Sequence, residues 1–312
     1  MYFKDKLVKG RRYRYAVKSA RLPDGRVISL EKIYKKETKK ELEGFFERRE
    51  TEENFKYVLE NFGEDSIFTE DALRKIEEMK LGYRKILRKL SRQSLRDLLD
   101  RFTVNFTYES NALEGNSLTL KDVAIVMFEN ASIKGKDLGE IYETTNSRVV
   151  VEMMFRNKFE ISHDSIIKMH KLLVKDTGVV AGYKKLPNFI LGRKINTTPP
   201  EKVYEEMSKL IEWYNQNREK THPIKLAALF HGRFEQIHPF EDGNGRVGRL
   251  LVNVILLKSK YPPVIIRKSQ RLSYLKTLQD FDKKYSKNLE RFILEKFKET
   301  YRKFFEVYIK YL

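Results

Sequence analysis

Cysteine is absent from all 312 residues. That excludes disulfides, thiolate metal sites, iron–sulfur clusters and a cysteine nucleophile, and it points to a reducing, cytoplasmic setting. Long apolar runs are missing as well: the longest, Leu250 to Leu257, is broken by Asn253 and is far too short to span a membrane. The opening MYFKDKLVKGRR is too charged for the core of a signal peptide, so no membrane partner is expected. There is no internal repeat, no low-complexity linker and no Walker A sequence. What the chain does have is basic charge, 63 Lys+Arg against 44 Asp+Glu for a net +19, together with 41% hydrophobic and 12% aromatic residues. That is enough apolar material for one core of about 200 residues plus a smaller satellite.

The charge is concentrated at the N-terminus, where residues 1 to 40 hold 14 Lys/Arg and 4 Asp/Glu. Two alternating Tyr/Val/Ile-rich runs, Arg12 to Ala20 and Arg26 to Tyr34, flank the turn signal Leu22-Pro23-Asp24-Gly25 and predict a β-hairpin. From Glu37 onward the pattern is helical. Ile76, Met79, Tyr83, Ile86 and Leu90 recur three and four apart. A helix over about Leu95 to Leu113 ends at Glu114-Gly115-Asn116, with Gly115 as a left-handed cap, and Thr119 with Asp122 caps the next. Helical periodicity continues over Glu140–Phe155, Asp164–Lys175, Glu201–Asn217, Pro223–Gln236, Arg246–Lys258 and an amphipathic Asn288–Leu312, whereas Gly178 to Pro200 reads as a loop or hairpin. The expected fold is mainly α, with a basic N-terminal region over 1–98, a main helical domain over 99–285 and a C-terminal amphipathic helix over 286–312.

The densest chemistry lies in His238-Pro-Phe-Glu-Asp242-Gly243-Asn244-Gly245-Arg246-Val-Gly-Arg249, between two predicted helices. Glycines on either side of Asn244 let successive amides converge, and the helix beginning near Arg246 adds its positive end, so the loop suits phosphate oxygens. Arg246 and Arg249 are three apart and can share one polyphosphate. The same residues contain Gly243-x-Gly245-x-x-Gly248, a formal dinucleotide fingerprint. Its context is wrong: a helix precedes it instead of a strand, and Arg267 and Lys268 stand where a ribose-binding acid belongs. A Gly-Asn-Gly turn alone would be a helix connection. An imidazole, a carboxylate and paired guanidinium groups within it indicate chemistry. His163-Asp164 lacks companion metal ligands, and His170, His222 and His231 read as structural imidazoles.

HPFEDGNGRVGR resembles the signature of the Fic family, His-x-Phe-x-[Asp/Glu]-Gly-Asn-Gly-Arg-x-x-Arg, at every fixed position. The similarity runs from about Phe102 to Phe281, with Gly182 to Gly192 as the family's short β-hairpin flap, in which Pro187 removes one donor. The resemblance implies autoinhibited transfer of AMP from ATP to a Tyr, Thr or Ser hydroxyl of a protein. In that scheme His238 is the general base, Asp242 holds Mg²⁺, and Gly243, Asn244, Gly245, Arg246 and Arg249 bind the phosphates. Ser110-Asn-Ala-Leu-Glu114-Gly115 matches the family's inhibitory motif, on a helix of about 103–115, with Glu114 set to pair with Arg249. Self-modification and a homodimer stand among the partners. The alternatives are removal of AMP from modified protein, another nucleotide donor, or nucleic-acid binding through the basic hairpin of residues 9–40, with Tyr13, Tyr15 and Tyr34 interleaved, beside a degenerate Fic site.

Overall fold

The computed structural model describes residues 1–129, 131–190 and 195–309. These fall into two compact units, Met1–Leu81 and Gly82–Leu312. Segments 82–98 and 286–309 both lie in the second unit.

The first unit opens with an antiparallel sheet of β1 (Tyr2–Val8), β2 (Arg11–Arg21) and β3 (Val27–Ile33), in the order β1-β2-β3. The β2–β3 hairpin turns where Leu22-Pro23-Asp24-Gly25 predicts it, with the Gly25 N–H donating to the Leu22 carbonyl at 3.0 Å. β1 has no counterpart in the sequence reading, because its residues are almost all exposed and carry no apolar alternation. It is added through a two-residue turn at Lys9 and Gly10, both at positive φ, the geometry that matches strand twist. One face of the sheet buries Ala16, Ala20 and Leu30 against Leu42 and Phe46 of α1 (Lys39–Phe62). A capping box starts α1, with Thr38 and Glu41 each satisfying the other's backbone N–H. α2 (Glu70–Lys89) runs through the boundary between the units.

In the second unit α3 (Arg92–Leu113), α5 (Leu138–Phe155), α6 (His163–Leu173) and α7 (Val203–Asn217) pack on α8 (Pro223–Ile237) and α9 (Asn244–Lys258), and α4 (Leu120–Glu129) packs on α3 and α5. Thr119 and Asp122 cap α4 as expected. α8 and α9 are buried on nearly every side, the mark of central helices, and the signature loop joins them. α10 (Arg271–Asp282) is too polar to stand out in sequence. α11 (Ser286–Thr300) continues through a π-helical turn, Tyr301–Phe305, into α12 (Glu306–Ile309). Its aromatics close the core: Phe305 is fully buried and meets Tyr83 and Phe102 at centroid distances of 4.9 and 6.2 Å. Tyr311 lies outside the described residues.

α10 reaches α8 at Gly232, where an added Cβ would sit 2.6 Å from three ring carbons of Phe281. Gly232→Ala is therefore expected to destabilise the fold by about 1–3 kcal/mol, the usual cost of overpacking, read as a lowered denaturant midpoint.

Candidate active site

α8 ends at Ile237, and His238 turns the chain out of it in the left-handed region (φ 51°, ψ 61°), its N–H still bonded to the Phe234 carbonyl at 3.0 Å. This backbone step lifts the imidazole to the head of the loop. Its Nδ1 faces the buried Glu235 carboxylate one turn back, at 3.9 Å. The loop is locked by Asn244, whose side chain accepts from the Phe240 N–H and donates to the Phe240 carbonyl, both at 2.9 Å. Asn244 is therefore spent internally and has only its backbone to offer a ligand. Gly243 precedes α9 at φ +79°, a conformation that favours glycine. The first helical bond runs from the Val247 N–H to the Gly243 carbonyl, so the amides of Asn244, Gly245 and Arg246 form the open, electropositive end of α9.

Sequence spacing treats the two arginines alike, but the structure gives them separate partners. Arg246 is buried and bonds Glu143 at 2.6 Å and Asp242 at 3.0 Å. Arg249, also buried, donates from Nε to Ser110 Oγ at 3.0 Å and from Nη2 to the Ser110 carbonyl at 2.8 Å and Glu114 Oε1 at 2.7 Å. Burial alone pulls the Arg249 pKa down, and the Glu114 carboxylate and Tyr274 more than offset it, so the net shift is upward. The Glu114 end of α3 is clasped from outside as well. Asn116 donates to Glu143 at 2.9 Å and Arg271 to the Leu113 carbonyl at 3.0 Å. Gly115 leaves the helix at φ +109°. The Glu114 carboxylate lies over the first turn of α9, 2.2 Å from where a Cβ on Gly245 would be.

Among the described residues 178–190 and 195–200 no strand forms, and Leu191 and Gly192, the end of the expected hairpin flap, lie outside the described residues. Prolines at 187, 199 and 200 remove donors, and the segment bonds instead to the signature loop. Tyr183 bridges to Phe240, the Lys184 N–H donates to the Pro239 carbonyl at 2.9 Å, and Asn188 Nδ2 donates to the Phe240 carbonyl at 2.6 Å.

Glu143, Glu235 and Asn188 carry no local signal and were not anticipated at the site. His170 reads as structural in sequence, and its structural task is at this loop. Its Nε2 donates to the Asp242 carbonyl at 3.0 Å, its Nδ1 accepts from the Gly182 N–H at 3.2 Å, and its ring stacks on Phe240 with centroids 3.8 Å apart. The bond accepted at Nδ1 requires the neutral imidazole, and burial pushes its pKa down to about 4 from an ordinary 6.5. Because the folded value is depressed, the unfolded chain binds the proton more readily between these values. His170 therefore contributes fully above pH 6.5, and the contribution is lost as pH falls toward 4. His170→Gln, which cannot titrate, is expected to flatten the dependence of Tm on pH in that window.

Residues 160–256 match the Fic/DOC family. Curated relatives include protein adenylyltransferase fic-1 of Caenorhabditis elegans, 31% identical over 59% of this chain and 38% of its own length. Protein adenylyltransferase Fic of Nematostella vectensis is 31% identical over 55% of this chain and 41% of its own. The chain thus matches about two-fifths of each of these relatives. Among solved structures, a Fic domain containing signaling protein from Bacteroides thetaiotaomicron is 27% identical, with a TM-score of 0.67 over 73% of this chain and 94% of that one. Fic-1 of C. elegans, at 24% identity and a TM-score of 0.65 over 75% of this chain and 70% of that one, shares the fold. The family match takes in the loop from His238 to Arg249 and stops short of Ser110 and Glu114, which lie N-terminal to it. With its signature loop seated between two central helices, this chain carries a Fic/DOC family domain over residues 160–256.

Proposed function

We propose that the protein transfers AMP from ATP to a hydroxyl side chain of a protein, and that Glu114 holds the site in a restrained arrangement. The observation that carries the reading is the three-bond clasp of Arg249 by Ser110 and Glu114 beside an intact phosphate loop. The names of the relatives, protein adenylyltransferases, agree with it. His238 takes the proton of the attacking hydroxyl as its oxygen bonds the α-phosphorus, and the bond to the bridging oxygen breaks to release pyrophosphate. Glu235 behind Nδ1 steadies the imidazolium that forms. The amides at the head of α9, with Arg246, receive the charge that grows on the departing phosphates.

Asp242 is the candidate metal ligand. Its carboxylate is 60% exposed at the loop, and among the described residues no group of three or more His, Cys, Asp or Glu could hold a metal. A lone exposed carboxylate fits a magnesium ion that arrives with its nucleotide, since that ion takes one or two carboxylates and completes its shell with phosphates and water. Such an ion would supply charge neutralisation along the polyphosphate.

With Glu114 on Arg249, that guanidinium is withheld from the terminal phosphate. ATP then binds misaligned for in-line attack, which costs rate more than affinity. The test is incubation of the Glu114→Gly protein with ATP labelled in the α- or the γ-phosphate. The expected result is α-label retained on protein and γ-label released as pyrophosphate. Retention of γ-label, or no α-label despite bound ATP, overturns the reading. Release of AMP from previously modified protein would instead assign the reverse reaction.

A further inference from the structure

The N-terminal sheet has one face on α1 and a second face that carries part of the basic, tyrosine-bearing hairpin noted in the sequence. Directly paired residues of an antiparallel sheet point to the same side. Ala16, Lys18 and Ala20 of β2 face α1, since Ala16 and Ala20 join its core and Lys18 bonds Glu50 at 2.8 Å. Tyr13 and Tyr15 therefore point to the other side. The register adds their β1 partners, Lys6 opposite Tyr13 and Lys4 opposite Tyr15, with Arg11 and Tyr2 further along the same face. Tyr34 does not belong with them: it packs against the α1-side cluster and meets Phe3 edge-on at 4.8 Å. The aromatic set that sequence suggests thus loses Tyr34 and gains Tyr2, which is 55% exposed.

We propose that this face of the sheet is a binding platform for single-stranded nucleic acid, with Tyr2, Tyr13 and Tyr15 stacking bases and Lys4, Lys6 and Arg11 meeting phosphates. Same-face residues of one strand stand about 7 Å apart, which gives each ring room for its own base. Tyr13 and Tyr15 are half-buried around a buried Val17 on this face, and aromatic rings interleaved with cations there satisfy both halves of a single strand, planar bases and a charged backbone. A duplex hides its bases from such rings, and an acidic peptide offers them no planar partner. One acid tempers the face: Glu31 reaches across β2 to Lys6 at 2.5 Å, while that ammonium lies 5.2 Å from the Tyr15 ring centroid. A phosphate must compete with Glu31 for Lys6, so removing that carboxylate favours the ligand.

The experiment is fluorescence anisotropy of the full chain with a labelled oligo-thymidine and oligo-uridine of about twelve nucleotides. The matching duplex and vesicles rich in phosphatidylserine serve as competitors. Single strands are expected to bind with a log–log salt slope of about −2, as three phosphate contacts give. Tyr13→Ala or Tyr15→Ala weakens binding by about tenfold or more and leaves the slope unchanged. Tyr13→Phe and Tyr15→Phe retain it, and Glu31→Gln tightens it. Since the alanine variants could disturb the sheet, the phenylalanine variants and Glu31→Gln are decisive: Glu31→Gln without a gain overturns the proposal. So does equal competition by duplex, or capture by vesicles without oligonucleotide binding.

Discussion

Glu114→Gly is expected to raise AMP incorporation into protein by about 10- to 100-fold over wild type at saturating ATP. The size follows from the clasp. To free Arg249 for a phosphate, the wild-type protein must give up the charge-assisted bond from Nη2 to Glu114, at 2.7 Å to a guanidinium that is 3% exposed. Bonds of that kind contribute about 1.5–3 kcal/mol, which is about 10- to 100-fold in the population of the released arrangement. The substitution takes away the carboxylate and leaves Ser110 on Nε and its carbonyl on Nη2, so Arg249 stays oriented. Glu114 lies at the C-cap of α3 and its side chain is 41% exposed, so glycine there costs little packing. Ser110→Ala should relax the clasp less, since the carboxylate remains. Intact-mass analysis after incubation with magnesium and ATP reads the result. Unchanged incorporation, with ATP binding preserved, would show that the Glu114–Arg249 pair is an architectural contact and not a brake.

Removing the imidazole of His238 should lower the transfer rate by about 10²- to 10⁴-fold, the usual contribution of a positioned general base, with little change in ATP affinity. In the proposed reading the phosphates are held by the amides of α9 and the arginines, none of which the substitution touches. The choice of replacement matters because residue 238 sits at φ 51°, ψ 61°. Asparagine is tolerated in that region better than alanine. His238→Asn is therefore expected to match His238→Ala in lost activity while unfolding at a higher temperature. In the Glu114→Gly background either change should abolish the gain. Activity surviving in both variants would assign the proton to another group.

How much of this was legible in sequence depends on the distance along the chain over which each contact acts. The Asn244 lock spans four residues, from Phe240, and the open end of α9 follows Gly243 directly, so a short motif contains the signature loop whole. The caps at Thr119 and Gly115, and the turn at Pro23-Asp24-Gly25, are likewise local. The pairing of Glu114 with Arg249 spans 135 residues and was anticipated only through a family resemblance, and the bonds from Arg249 to Ser110, 139 residues away, were not anticipated. No such guide pointed to Glu143 on Arg246, 103 residues away, or to His170 on the Asp242 carbonyl, 72 away.

The sheet separates the two kinds of information most clearly. Alternation and a turn signal are enough to announce β2 and β3, since period and turn chemistry are properties of neighbouring residues. Which tyrosines share a face depends on the pairing register and on which face meets α1. By itself, then, the sequence determined the helical class, the basic N-terminus, the elements with strong local signals and the extent of the signature loop. Tertiary structure alone decided which carboxylate holds which arginine, how the 182–190 segment is tied to the loop, and which aromatic rings stand together. Local preferences act through backbone torsions a few residues apart. Buried ion pairs and shared faces form only when packed helices and strands bring distant residues within a few ångströms.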